Sequence, residues 1–179
     1  KDLFRDYSLI DMFPSLTDSL IGTGRLAELS ICYGDRFIAK DGAKTTPLYT
    51  WSAPTVNYKL KKESPNDQEE TIYYTLIMTD PDTPSRIKHE LREFVHWAIV
   101  NIPNDAVHKG TELLSYLGPV PPYKSGLHRY VFSLYSQKEP LPEYLIEESK
   151  AIFSKRSCIK THEWIRSNMD FFCEIPEGL

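Results

Sequence analysis

The sequence predicts a mainly β domain with helices confined to its ends, and three observations predict it. Five runs rich in Val, Ile, Tyr, Thr and Trp recur along the chain, prolines cluster between them, and helix-type patterning appears only near the termini. The 179 residues, 41% hydrophobic and 26% charged, suffice for one domain with a closed core, taken as residues 1–179.

The β-type runs are residues 26–33, 55–60, 72–80, 94–102 and 130–137. Tyr74-Thr75-Leu76-Ile77-Met78 lacks clean alternation, which predicts a central strand buried on both faces. In the fourth run, strict alternation places Phe94, His96 and Ala98 on one face and Val95, Trp97 and Ile99 on the other. The prolines at 81/84, 119/121/122 and 140/142 remove ladder donors and fix φ, so they mark loops. Residues 59–70 are polar, carry both charge signs and include Pro65, as a solvated loop between strands does. A short helix is expected over 6–13, stopped by Pro14. Two more are expected over 142–153, with Leu145, Ile146 and Ile152 among glutamates, and over 159–169, with Ile159, Trp164 and Ile165.

Composition narrows the function. The net charge of -4 and pI near 5.8 argue against a protein built to grip a nucleic-acid backbone, so no direct nucleic-acid partner is expected. No apolar run approaches the roughly 18–20 residues of a membrane span, so no transmembrane segment is expected. The charged opening from Lys1 to Asp6 predicts no apolar leader. Three scattered cysteines, Cys32, Cys158 and Cys173, fit a reducing compartment; the cytoplasm is the leading expectation and the mitochondrion the alternative. Gly-rich phosphate loops, HExxH, CxxC and G-x-S-x-G elbows are absent, so no enzymatic activity, cofactor or metal is expected. Ser125 lacks the glycine frame of a nucleophile elbow and reads as a turn serine.

Polar residues at strand ends remain. Asp80-Pro81-Asp82-Thr83-Pro84-Ser85-Arg86 follows the apolar strand, and its acids at i, i+2 project together if the chain stays extended. Glu93-Phe94-Val95-His96-Trp97 opens the next strand, where a lone histidine is more often a core residue than a ligand. Gly118-Pro119-Val120-Pro121-Pro122 forms a stiff loop before Ser125-Gly126-Leu127-His128-Arg129-Tyr130-Val131-Phe132. Each group is weak alone.

In combination, DPDTPSR, EFVHW, GPVPP and SGLHRYVF, in this order and spacing, resemble the phosphatidylethanolamine-binding protein family, also called the Raf-kinase-inhibitor-like family. Ala53-Pro54-Thr55-Val56 upstream is similar as well, and the resemblance is best over 25–138. It implies a large antiparallel sheet packed with a smaller one, peripheral C-terminal helices, and a small pocket for phosphate or a phosphoethanolamine-type head group. The implied ligand-binding residues are Asp80, Asp82, His96, Gly118, Pro121, Pro122, His128 and Tyr130. An acid that orients and charges a histidine would turn its other N–H toward the ligand, with the Tyr130 hydroxyl and backbone N–H groups of 118–122 as further donors. The resemblance also implies cis peptides at Thr83-Pro84 and Arg92-Glu93.

Departures from the family pattern are Pro119 and Val120 in the loop, with Val120 expected to narrow the mouth, and Tyr123 and Lys124 at its edge. Val95 stands where animal members often have histidine. A pocket-capping C-terminal helix is expected to be missing or shortened, with Phe171 and Phe172 packing in the core. The leading expectation is a non-enzymatic head-group binder that regulates an unidentified protein partner. The alternative is a structural subunit of a larger assembly, such as a mitochondrial ribosome, with a vestigial pocket. A metal or acid–base site at Asp80, His96 and His128 is a distant third.

Overall fold

A computed structural model of the chain describes residues 27–35, 37–39, 42–60 and 71–173. The helix expected over 6–13 and most of the 59–70 loop lie outside the described residues. The strands are β1 (Ala27–Tyr33), β2 (Phe37–Ala39), β3 (Thr55–Leu60), β4 (Tyr73–Asp80), β5 (Phe94–Pro103), β6 (Thr111–Leu114) and β7 (Val131–Gln137). Two helices follow, α1 (Glu143–Phe153) and α2 (Thr161–Ser167). Short 3-10 turns at Pro47–Thr50 and Val107–Lys109 join strands. The strands form two antiparallel sheets, ordered β2-β1-β3 and β6-β5-β4-β7. The fold is therefore mainly β, a larger sheet with a smaller one and C-terminal helices.

The larger sheet is the middle layer of three. One face packs through Tyr74, Leu76, Met78, Trp97, Ile99 and Ile102 against Ile31, Tyr33, Val56 and Tyr58 of the smaller sheet. The other packs through Ile77, Val95, Ala98 and Val100 against Leu145, Ile146, Phe153, Trp164 and Ile165 of the helices. A strand covered on both sides needs apolar residues at successive positions, which is why Leu76, Ile77 and Met78 do not alternate with polar ones. Each fully buried apolar side chain of this size contributes about 1.5–3 kcal/mol. Phe172 is buried in the helical core, edge-on to Trp164, and Phe171 packs beside it.

Two bulges in β5 break the strict alternation. Met78 pairs with Trp97 and Thr79 with Val95, which leaves His96 as the extra residue. Across it the strand reverses faces: Val95 enters the helical core, while Trp97 and Ile99 enter the inter-sheet core. The expectation that Val95 shares a face with Trp97 is therefore corrected. The second bulge lies between the pairs Leu76–Ile99 and Tyr74–Ile102, where Asn101 adopts φ 56, a left-handed conformation that asparagine tolerates. There the Gln137 amide accepts from the Thr75 hydroxyl and the Asn101 N–H, both at 2.9 Å, and donates to Asn101 Oδ1 at 2.9 Å. Asn101 in turn holds the Leu141 backbone ahead of α1, accepting from its N–H at 2.8 Å and donating to its carbonyl at 3.0 Å.

The link between the helices closes on the start of β5. Glu93 and Ile159 exchange backbone hydrogen bonds, and the Val95 N–H donates to the Arg156 carbonyl at 2.7 Å. The Arg156 guanidinium donates to the carbonyls of Val95, His96 and Ser115, which pins both sides of the first bulge.

Candidate anion-binding cleft

The C-terminal end of β4, the bulged start of β5, the 118–122 loop and the chain leading into β7 meet at one place. Asp80 ends β4 inside the core, with 3% of its surface exposed. Its Oδ1 accepts from the Asp82 N–H at 2.7 Å, and its Oδ2 accepts from His128 Nδ1 at 2.6 Å. A carboxylate only accepts, so the His128 proton sits on Nδ1; with the ring neutral, Nε2 accepts from the Ser125 hydroxyl at 2.8 Å.

Asp82 has other partners. Oδ2 accepts from the Arg129 N–H and Nε, both at 2.9 Å, and from Arg86 Nε at 3.3 Å, while Oδ1 accepts from Arg129 Nη2 at 2.5 Å. Burial is the largest single influence on this carboxyl and opposes its charge. The Arg129 hydrogen bonds and charge, with Arg86, outweigh it and hold the carboxyl below its ordinary range. The two acids thus divide their work. Asp80 holds a histidine, and Asp82 holds the arginine that follows that histidine.

His96 is buried at the bulge, where its Nδ1 lies 2.7 Å from the Leu117 carbonyl and donates to it. Its Nε2 hydrogen-bonds to none of the described residues, and the ring meets Tyr130 edge-on at 5.2 Å and Phe94 at 4.9 Å. Burial lowers its proton affinity; the Leu117 carbonyl and Asp80 push the other way, and Arg156 and His128 add to the lowering. The Tyr130 hydroxyl is buried without a hydrogen-bond partner. Burial, then Asp80 and Asp82, raise its pKa, so it remains a proton donor.

The expected geometry, an acid-held histidine with its other nitrogen turned to the ligand, is corrected. The histidine that pairs with an acid has its second nitrogen against Ser125, and the histidine with a free nitrogen is paired with a carbonyl, with burial lowering its proton affinity. The loop also differs from expectation. Pro119, Pro121 and Pro122 carry no N–H, so only Gly118 and Val120 offer backbone donors. Val120 is 55% exposed, so its side chain faces out and does not plug the mouth. Gly118 is buried against the Pro47–Thr50 turn, where a Cβ would lie 2.7 Å from the Thr50 carbonyl oxygen. Tyr116 secures the same carbonyl with a 2.7 Å hydrogen bond.

Asp80, His96, His128 and Tyr130 come together, Gly118 forms the adjoining wall, Pro121 and Pro122 lie further out on the loop, and Asp82 supports from behind. Ser125 and Arg129 were missed as site residues, although both flank His128 in sequence. Thr83-Pro84 and Arg92-Glu93 are cis. Among the described residues, no three His, Cys, Asp or Glu side chains gather as a metal site.

Residues 33–168 match the family described as phosphatidylethanolamine-binding protein. The chain belongs to this family. It is 42% identical over 111 residues to Protein MOTHER of FT and TFL1 homolog 2 of Oryza sativa subsp. japonica, a match covering 62% of this chain and 58% of that protein. The chain spans about half to three fifths of the length of the curated relatives it matches. Among solved structures, a phosphatidylethanolamine-binding protein from Plasmodium vivax superposes with TM-score 0.56 at 26% identity, covering 75% of this chain and 69% of that one. A carboxypeptidase Y inhibitor, solved in complex with its cognate proteinase, superposes with TM-score 0.72 over 94% of this chain and 87% of its own; at 21% identity it shares the fold.

Proposed function

We propose that this member of the phosphatidylethanolamine-binding protein family binds a small phosphate or phosphoethanolamine-type anion in the cleft bordered by His96, Tyr130, Gly118 and the Asp80–His128 pair, and regulates a protein partner. The observation that carries this reading is the buried Tyr130 hydroxyl, which has no partner, on a ring that meets His96 edge-on at 5.2 Å. A buried hydroxyl without an acceptor is costly, and an anionic oxygen satisfies it. Both Asp80 oxygens already accept hydrogen bonds, from His128 and from the Asp82 N–H, which offsets their repulsion of an anion.

Burial disfavours the charged form of His96, so the anion either brings its own proton to Nε2 or raises the proton affinity of the ring. Both couple binding to proton uptake. The partner-binding part is supported by the exposed apolar rim of Leu48, Trp51, Val120, Tyr123 and Leu127 on the two segments that meet at Gly118. The same rim supports the alternative role, a structural subunit of an assembly in which the cleft is dispensable. The free cysteines agree with a reducing, cytoplasmic setting. No helix among the described residues is long and apolar enough to cross a membrane.

The test is a titration with inorganic phosphate and with phosphoethanolamine, followed by amide chemical shifts at pH 6 and pH 8. Shifts centred on 96, 118 and 130, with tighter binding at the lower pH, are expected. Tyr130→Phe removes a hydrogen bond to a charged group, which is worth ~1.5–3 kcal/mol, and weakens binding at least about tenfold. Silence in the cleft at millimolar ligand overturns the binding reading, and pH-independent affinity overturns the role of His96.

A further inference from the structure

The head-group reading uses neither Ser125 nor the second nitrogen of His128. The two atoms lie 2.8 Å apart, and they complete a chain in which Ser125 Oγ, His128 Nε2, His128 Nδ1 and Asp80 Oδ2 are linked in sequence. The histidine side chain is 1% exposed and that of Asp80 4%. The acid is itself oriented, because its other oxygen accepts the Asp82 N–H. A hydroxyl bonded to an imidazole whose far nitrogen is held by a buried carboxylate is an arrangement that makes serine a nucleophile, and it is recognised by geometry rather than by chain order.

The local backbone suits that role. Ser125 sits between two left-handed residues, Lys124 at φ 64 and Gly126 at φ 86, in a sharp turn closed by its N–H donating to the Pro122 carbonyl at 3.0 Å. The serine is partly exposed, and the Cβ position of the neighbouring Gly126 has nothing within 4 Å, so the turn is open to solvent at that residue. Leu127 and Val120, 61% and 55% exposed, give the turn an apolar lip.

We infer that Ser125 is a nucleophile, with His128 as its general base and Asp80 as the orienting acid, that takes an acyl group from small carboxylic esters. The inference goes beyond the binding reading and does not rest on it. Ser125 Oγ attacks the carbonyl carbon while its proton passes to His128 Nε2, and Asp80 stabilises the imidazolium that forms. When the intermediate collapses, the bond to the alcohol oxygen breaks, that oxygen takes the proton from Nε2, and Ser125 is left as an ester. Water then attacks with the same base, releasing the carboxylic acid and restoring the serine. The sum is ester plus water to acid plus alcohol. An acyl chain would lie along Leu127 and Val120.

The experiment treats the full chain with p-nitrophenyl acetate and maps the acetyl group by peptide mass spectrometry; cleavage after Lys124 and Arg129 isolates Ser125. Acetylation on Ser125 is expected in the native protein, lost in urea-unfolded protein and absent in Ser125→Ala. General-base catalysis is worth ~10²–10⁴ in rate, so His128→Gln is expected to acylate at least about 100-fold more slowly. Acetyl groups spread over lysines alone, or Ser125 labelled equally in folded and unfolded protein, overturn the inference. So does equal labelling in His128→Gln. The comparison of native with unfolded protein decides the matter even where a variant fails to fold. Phosphate titration of the same samples reports the head-group cleft separately, so loss of one activity is distinguished from loss of the other.

Discussion

Arg129 holds Asp82 from two sides, with Nη2 2.5 Å from Oδ1 and Nε 2.9 Å from Oδ2, while its own backbone N–H donates to the same Oδ2. This pair ties the turn after β4 to the chain leading into β7, and so sets where His128 can stand relative to Asp80. Removing one partner of a buried pair leaves an uncompensated charge, which typically costs ~3–5 kcal/mol. Arg129→Met is expected to lose about 3 kcal/mol in urea unfolding, reduced because Arg86 still reaches Asp82, and Asp82→Asn combined with it is expected to recover part of the loss. A double-mutant cycle showing no coupling would contradict this.

Asp82 also sets an acid dependence. Its folded pKa lies below the ordinary value of 3.8, so the unfolded chain binds more protons across that interval. The stabilisation is fully present above the unfolded value and is lost as pH falls through it toward the folded one. Asp82→Asn is expected to flatten this acid limb of the stability profile.

Glu93 gives the opposite slope. It is 5% exposed, accepts from Thr161 Oγ1 at 2.5 Å, and burial, only partly offset by Thr161 and Arg92, pushes its carboxyl from 4.5 to about 7. The native state then binds more protons than the unfolded chain between these values. Stability is fully present below the lower value and falls as pH rises through the upper one, by ~3 kcal/mol in all. Chemical unfolding of wild type and Glu93→Gln at pH 4, 6 and 8 checks this. The difference between the two is expected to change by about that amount; a constant difference would refute it.

Gly118→Ala tests the wall of the cleft. The added Cβ meets backbone only, the Thr50 carbonyl oxygen at 2.7 Å and the Trp51 carbonyl oxygen at 3.2 Å, so no side chain can swing aside. Overpacking of this kind costs ~1–3 kcal/mol. The thermal midpoint is expected to fall, and phosphate affinity to weaken as the loop moves.

Gln137→Ala tests the amide network at the second bulge. The change leaves the Thr75 hydroxyl and the Asn101 N–H without their acceptor inside the protein. Each unsatisfied group costs ~1–3 kcal/mol, so a loss of at least about 2 kcal/mol in urea is expected.

Much of the architecture was legible in one dimension. The five apolar runs became β1, β3, β4, β5 and β7, and α1 begins just after Pro142. The missed strands, Phe37–Ala39 and Thr111–Leu114, have three and four residues, too few for alternation to register. The reversal of faces at His96 was also invisible, because a bulge inserts a residue without any compositional mark.

What the sequence alone determined is where the five longer strands lie, which proline-marked segments are loops, and which strand lies between two layers. Hydrophobic periodicity and proline are local properties that the chain carries wherever it folds. Only the tertiary structure decided how each polar group is used: Asp80 to His128, Asp82 to Arg129, His128 onward to Ser125, and His96 to the Leu117 carbonyl. Those pairings join residues up to 48 positions apart. Whether a buried acid, imidazole or hydroxyl finds a partner depends on distances and angles set by packing, which residue order does not specify.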